Sequence, residues 1–133
     1  MGDRAGTGQA ASRNRKDAEL GALFESAAAY LSLLSEPTRM RILHAVCYDE
    51  RSVGDIVRKT GISQTNVSRH LALMWRAKVL GRRRSGSTVY YSIADPTLIQ
   101  ICRSVCIHVS AGLAGKPGRS RAERVFPPRK AAR

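Results

Sequence analysis

The stretch that decides the fold is Ser63-Gln64-Thr65-Asn66-Val67-Ser68-Arg69-His70-Leu71, which opens a predicted helix running to about residue 78. Ser63 suits the N-cap position, because its hydroxyl can accept a hydrogen bond from an unpaired backbone N–H group. Val67, Leu71 and Met74 follow the i, i+4, i+7 spacing of one helical face, which predicts a buried stripe. The polar residues that lie largely off this stripe are Gln64, Thr65, Ser68, Arg69 and Arg76.

A shorter helix is predicted immediately before this one. Ser52 and Asp55 have the three-residue spacing of a capping box, and the helix that they open runs to about residue 59. Thr60-Gly61 then breaks it. Two helices joined by a short turn with glycine form a helix-turn-helix pattern, whose second helix enters the major groove of DNA.

A β-hairpin is predicted immediately after the long helix. Residues 79–84 and 88–93 have strand character, the second run being rich in β-branched and aromatic residues. Ser85-Gly86-Ser87 is the predicted tip. The sequence therefore predicts a winged helix-turn-helix, a mostly helical fold with a small β-hairpin as its wing.

Further helices are predicted on either side. An Ala- and Leu-rich segment over residues 19–34 forms the first, and Pro37 opens the second. Asp95-Pro96 opens the last, which runs to about residue 113. Its predicted apolar stripe is Leu98, Ile101, Cys102, Val105 and Val109. We expect one domain over residues 18–113, a disordered arm over residues 1–17 and a disordered basic tail over residues 114–133.

The charge of the chain is uneven. The formal net charge is +13, and residues 56–94 contain eight basic residues and no acidic one. Such an excess favours polyanionic partners, of which double-stranded DNA fits the helix-turn-helix pattern. No apolar run is long enough to span a membrane, and the N-terminus has no secretory signal, so we expect a cytoplasmic protein without a membrane partner.

The DNA contacts are predicted to come from the long helix and the hairpin. Gln can pair with adenine and Arg with guanine in the major groove, whereas the hairpin arginines suit phosphates. The predicted DNA-binding residues are Ser63, Gln64, Thr65, Ser68, Arg69, His70, Lys78, Arg82, Arg83, Arg84 and Ser87. No phosphate loop or catalytic arrangement is evident, so we expect neither an enzyme nor a cofactor. A winged helix that binds proteins instead of DNA remains an alternative.

Three segments resemble the arsenic-repressor (ArsR/SmtB) family. Residues 34–43 (LSEPTRMRIL) resemble its second helix, residues 63–71 its recognition helix and residues 89–93 (VYYSI) its wing, within a similarity over about residues 22–110. The resemblance implies a homodimer joined through the first and last helices. It also implies a repressor that an inducer releases from its operator. The metal-binding patterns of the family are missing, since residues 53–57 (VGDIV) hold no cysteine and the last helix offers only Asp95 and His108.

The three cysteines are the candidate sensing residues. An odd number of cysteines without an export signal indicates reactive or metal-binding thiols. In relatives that sense sulfide, persulfide or oxidants, one cysteine lies in the second helix and one in the last, which implies a disulfide or polysulfide link between Cys47 and Cys106 (or Cys102). The inducer would then be a small inorganic species. Two alternatives stay open: a three-thiolate site for arsenite or a soft metal on Cys47, Cys102 and Cys106, and plain packing.

Overall fold

A computed structural model describes residues 5–114 of the chain. The helices are α1 (Ala5–Ser32), α2 (Pro37–Val46), α3 (Val53–Thr60), α4 (Gln64–Arg76) and α5 (Pro96–Ala114). The strands are β1 (Arg51–Ser52), β2 (Leu80–Ser85) and β3 (Thr88–Ile93). This order confirms the predicted winged helix-turn-helix. The chain divides after Ser35 into two compact units, the first containing α1 and the second containing the other elements.

Helix α1 begins much earlier than predicted. It starts at Ala5, so residues 5–17, expected in a disordered arm, are helical. Residues 5–17 include three Ala, two Arg and one Lys, which favour a helix, and no proline; their helix propensity outweighs that of the two glycines. Its large exposed apolar residues are Leu20, Leu23, Phe24 and Leu31. The predicted tail lies outside the described residues from position 115 onwards.

The core of the second unit is built on the stripe predicted for α4. Val67, Leu71 and Met74 are fully buried, as the helical spacing predicts. Around them lie fully buried residues from the other helices and the start of the hairpin: Ile42, Leu43, Ile56, Leu80 and Leu98. At about 25 cal/mol per Å² of apolar surface, each large side chain buried here stabilises the fold by roughly 1.5–3 kcal/mol.

The predicted stripe of α5 is only partly buried. Leu98 and Cys102 are in the core, whereas Val105 and Val109 are 49% and 51% exposed. The apolar periodicity of α5 therefore continues past the part of the helix that this unit covers. No helix among residues 5–114 combines the length and apolar character needed to cross a bilayer.

A short strand joins the hairpin to form a three-stranded antiparallel sheet in the order β1-β3-β2. Arg51 of β1 pairs with Tyr91, and Ser52 pairs with Tyr90. No local pattern indicated β1, because two residues are too few to show a strand period. Gly86 at the hairpin tip has a φ of 63°, a left-handed conformation that glycine adopts without steric cost.

Candidate nucleic-acid interface

The ends of α3 and α4 are fixed by local hydrogen bonds. The backbone N–H of Asp55 donates to Ser52 Oγ over 3.1 Å, and the reciprocal bond of the capping box is also present. Gly61 ends α3 at a φ of 72°. Ser63 then caps α4 by accepting from the N–H of Asn66 over 3.4 Å. The predicted turn and both caps are therefore present, and they aim the N-terminal end of α4 outward.

The first two turns of α4 present an exposed polar face. Gln64, Thr65, Ser68 and Arg69 are all exposed, opposite the buried stripe. Arg69 Nη2 donates to Asn66 Oδ1 over 2.6 Å, which holds the guanidinium beside the start of the helix. Hydrogen-bonding side chains at the N-terminal end of a recognition helix are suited to the edges of base pairs.

His70 occupies a different environment from these four residues. Only 13% of its side chain is exposed, and its Nε2 lies 3.7 Å from Glu36 Oε2 at the N-cap of α2. Its Nδ1 is buried without a hydrogen-bond partner. Partial burial raises the pKa of Glu36. Hydrogen bonds from the Arg39 and Thr38 N–H groups and from the Thr38 side chain, together with the electrostatic effect of the nearby His70, outweigh burial, so this pKa lies below its ordinary value. His70 thus bridges two helices of the fold.

Two hairpin arginines are held by residues that the sequence did not single out. The Arg82 guanidinium carbon lies 3.5 Å from the centroid of the Trp75 ring, a cation–π contact with the last turn of α4. Arg83 Nε donates to Glu50 Oε2 over 2.9 Å and also lies over the Tyr90 ring. Glu50 had no local signal in the sequence, since it lies 33 residues before Arg83.

Glu50 and Arg83 reinforce each other's charged form. The side-chain hydrogen bonds from Arg83 hold the pKa of Glu50 below its ordinary value, and the same bonds raise the pKa of Arg83. Both groups are solvent-exposed, so the pair contributes little to stability. The pair joins the residue before β1 to the hairpin and places a carboxylate beside the hairpin arginines.

The remaining predicted DNA-binding residues are all exposed. Lys78 has a φ of 62°, a left-handed conformation that is strained for a side chain with a Cβ atom, in the turn between α4 and β2. Arg84 and Ser87 are exposed near the hairpin tip, and Ser63 is exposed at the start of α4. The structure thus brings the predicted residues together on two adjacent elements, with His70 set apart by its contact with Glu36.

The three cysteines lie near one another behind the helix-turn-helix. Cys47 caps the C-terminus of α2, where its Sγ donates to the His44 carbonyl over 3.1 Å. Cys102 is 1% exposed. The pKa of Cys102 is raised to about 12. Burial is the largest cause, followed by the neighbouring Cys106 thiol, which also forms a hydrogen bond with Cys102, and then by Cys47. All three are free thiols, and Cys106 alone is partly exposed.

Cys106 faces an open cavity of about 390 Å³ that α2, α3 and α5 form together. Met40, Arg41 and Ala45 of α2 contribute to its walls, and Lys59 comes from α3. Within residues 5–114, no cluster of three or more His, Cys, Asp or Glu side chains is arranged to hold a metal ion.

The fold and this surface define a winged helix-turn-helix DNA-binding regulator. Residues 36–77 match the family model described as "Bacterial regulatory protein, arsR family". The nodulation protein NolR of Rhizobium meliloti is 34% identical over 77 residues, which cover 58% of this chain and 63% of NolR, so the match spans less than two thirds of that relative.

Two further relatives extend this similarity. The transcriptional repressor SdpR of Bacillus subtilis is 34% identical over 67 residues, covering 50% of this chain and 73% of SdpR. A homodimeric winged helix-turn-helix DNA-binding domain from Mycobacterium bovis, solved by NMR, superposes with a TM-score of 0.64 at 26% identity over 74% of this chain and 91% of that one. The chain belongs to the arsR family of bacterial regulatory proteins.

Proposed function

We propose that this chain is a cytoplasmic, homodimeric repressor that binds a roughly palindromic operator and leaves it when its thiols react. The observation that carries the proposal is the exposed face of α4, where Gln64, Thr65, Ser68 and Arg69 lie beside a hairpin with three consecutive arginines. The homodimeric Mycobacterium bovis domain supports the dimer. One recognition helix from each subunit would then enter each half-site.

Helix α4 and the β2–β3 hairpin make different kinds of contact with DNA. Side chains of α4 supply hydrogen bonds to base edges, which carry sequence information. Arg82, Arg84 and Lys78 supply phosphate contacts, which give affinity and register. Because bound phosphates release their counterions, the affinity for the operator should fall steeply as salt rises.

The DNA proposal is tested with the full chain and a labelled fragment from upstream of its own gene. Fluorescence anisotropy at several salt concentrations should give tight, salt-dependent binding, and a footprint should show two half-sites about one helical turn apart. The double variant Gln64→Ala with Arg69→Ala should lose its tight binding to the operator but keep its weak binding to unrelated DNA. Equal binding of both DNAs by the wild type, or a flat salt response, would contradict the proposal. Capture of a protein without DNA binding would support the interaction-module alternative.

The proposed inducer is an oxidant or a reactive sulfur species that acts on Cys106. This thiol is the partly exposed one of the three, and it faces a cavity, whereas Cys47 and Cys102 are buried. With hydrogen peroxide, two thiols lose two electrons and two protons, one S–S bond forms, and the peroxide is reduced to two water molecules. With a trisulfide anion, the two thiols lose two electrons and their protons, one sulfane sulfur is inserted to give an S–S–S link, the other is reduced, and two sulfides are released.

Helix geometry favours Cys47 over Cys102 as the partner in a direct disulfide. Residues at i and i+4 of a helix have Cβ atoms about 5–6 Å apart, whereas a disulfide needs about 3.5–4.5 Å. Cys102 and Cys106 have this spacing on α5, so a direct bond between them would distort the helix. A bond from Cys106 to Cys47 would instead tie α5 to the end of α2 and bias the dimer towards a geometry that no longer fits the operator.

The inducer proposal is tested by measuring operator affinity before and after treatment with peroxide or polysulfide. The wild type should lose roughly 5–150-fold in affinity, the usual range of allosteric coupling. Cys47→Ala and Cys106→Ala should bind the operator but lose this response, while Cys102→Ala should keep it. A full response in Cys47→Ala would refute the link. A response to arsenite, with one arsenic retained per subunit in the mass spectrum, would support the three-thiolate alternative.

A further inference from the structure

The cavity beside Cys106 has the size and lining of a small-molecule site. Its volume of about 390 Å³ lies in the ~300–1,000 Å³ range of ligand pockets. We propose that it binds a small organic anion with an apolar body, such as an aromatic or branched carboxylate. This site goes beyond the thiol chemistry proposed above, because the ligand is held without a covalent bond.

The charge around the cavity points to an anion. Arg41 extends from α2 and Lys59 from α3, so two cations on separate helices meet at the same cavity. In the part of the chain that the structure describes, neither forms an ion pair, whereas Arg51, Arg58 and Arg83 each pair with a carboxylate. Among residues 5–114, no Asp or Glu lines the cavity. A carboxylate between the two cations would relieve their repulsion and form charge-assisted hydrogen bonds.

The rest of the lining points to an apolar body. Met40 and Ala45 contribute hydrocarbon and thioether surface, and a methionine side chain adapts easily to an irregular ligand. The hydroxyl of Thr60 is already committed, because it donates to the Ile56 carbonyl over 2.7 Å. Besides Arg41, Lys59 and Cys106, the described lining then offers only the His44 imidazole as a polar side chain, which is too few for the many polar contacts of a sugar or a nucleotide base. The lining therefore favours a ligand with one charged end and an apolar remainder.

The position of the cavity connects it to the DNA-binding elements. Lys59 lies in the last turn of α3, just before the turn that leads to α4, and Arg41 lies on α2. A ligand that joins these residues would restrain the helix-turn-helix relative to α5. It would also cover the Cys106 thiol, so that occupancy and thiol reactivity are linked.

The test uses 2-naphthoate and its uncharged counterpart 2-naphthamide, with the reduced full-length chain and isothermal titration calorimetry. Naphthoate should bind at one site per subunit, and naphthamide should bind about tenfold or more weakly, because it lacks the charge-assisted contacts. Arg41→Gln with Lys59→Gln should remove this preference. Arg76→Gln, which removes an exposed cation away from the cavity, should leave it unchanged. Circular dichroism checks that each variant folds.

A second readout locates the ligand independently of the charge variants. Saturating naphthoate should slow the alkylation of Cys106 by iodoacetamide, whereas naphthamide at the same concentration should not. Equal binding of both probes, loss of binding in Arg76→Gln, or unchanged alkylation would overturn the proposal. If naphthoate does not change the rate of alkylation but a higher protein concentration lowers that rate, a second copy of the chain covers the cavity. This outcome also overturns the proposal. The proposed repressor function survives these outcomes, because none of them involves DNA.

Discussion

The guanidinium of Arg82 lies against the ring of Trp75, with 3.5 Å between the guanidinium carbon and the ring centroid. Trp75 belongs to the last turn of α4, and Arg82 belongs to β2, so this contact joins the recognition helix to the hairpin. The wing is thus positioned by the same helix that we expect to enter the major groove.

Trp75→Ala should loosen the hairpin and weaken operator binding several-fold. An exposed cation–π contact contributes about 0.5–1 kcal/mol, and the variant should lose at least this much in urea unfolding. Trp75→Phe keeps an aromatic face and should lie between the alanine variant and the wild type. Trp75 is the single tryptophan of the chain, so Arg82→Ala should also shift its fluorescence, and Arg84→Ala should not. Equal spectra for the two arginine variants would contradict this contact in solution.

Glu50→Gln should strengthen binding to non-specific DNA. The change removes the carboxylate that engages Arg83 and frees this arginine for a phosphate. One additional phosphate contact makes the slope of log affinity against log salt steeper by roughly 0.9. Asp49→Asn is the control next to Glu50: it makes the same change of charge but releases Arg51 of β1 and leaves Arg83 paired with Glu50. If both variants change the slope equally, the release of Arg83 in particular does not explain the effect.

Arg69→Ala and Arg84→Ala should affect DNA binding in different ways. Arg69 lies at the start of α4 and is expected to read a base, so its loss should cost about 1–3 kcal/mol on the operator and relax specificity at one position. Arg84 lies in the hairpin and is expected to contact a phosphate. Its loss should weaken binding to all sequences and lower the salt slope by about 1. Binding to operator and scrambled DNA at several salt concentrations checks both outcomes.

The three thiols should react with iodoacetamide at different rates. Cys106 is partly exposed and should be alkylated first in the native protein at pH 8. Cys102 should react only on unfolding, because burial raises its pKa to about 12 and leaves almost no thiolate at that pH. Timed quenching followed by peptide mass spectrometry gives the order. Fast labelling of Cys102 in native protein would show that α5 opens in solution.

The stability contributed by Asp55 should depend on pH. Hydrogen bonds with Ser52, and then with Arg58, hold the pKa of Asp55 below its ordinary 3.8. A carboxyl group whose pKa is lower in the folded than in the unfolded state contributes its full stability at pH values above its unfolded-state pKa. This contribution is lost as the pH falls through its folded-state pKa. The difference in unfolding free energy between the wild type and Asp55→Asn should therefore be constant at neutral pH and vanish in acid.

The sequence by itself determined the helix-turn-helix and the wing. Helical spacing identified Val67, Leu71 and Met74 as the buried stripe, and the structure buries all three completely. The caps at Ser52 and Ser63 and the break at Gly61 were also predictable. These features depend on residues at most seven positions apart, so local periodicity and local hydrogen bonding are enough to specify them.

Only the tertiary structure decided which arginines of the hairpin are held and by what. The contact of Arg83 with Glu50 spans 33 positions, and β1 exists only because Arg51 and Ser52 pair with β3. Likewise, the cavity beside Cys106 needs α2, α3 and α5 to converge. Contacts between residues far apart in the chain follow from how the elements pack, and no periodicity in the sequence encodes them. The recognition face is therefore a property of one helix, whereas the candidate regulatory sites are properties of the assembled fold.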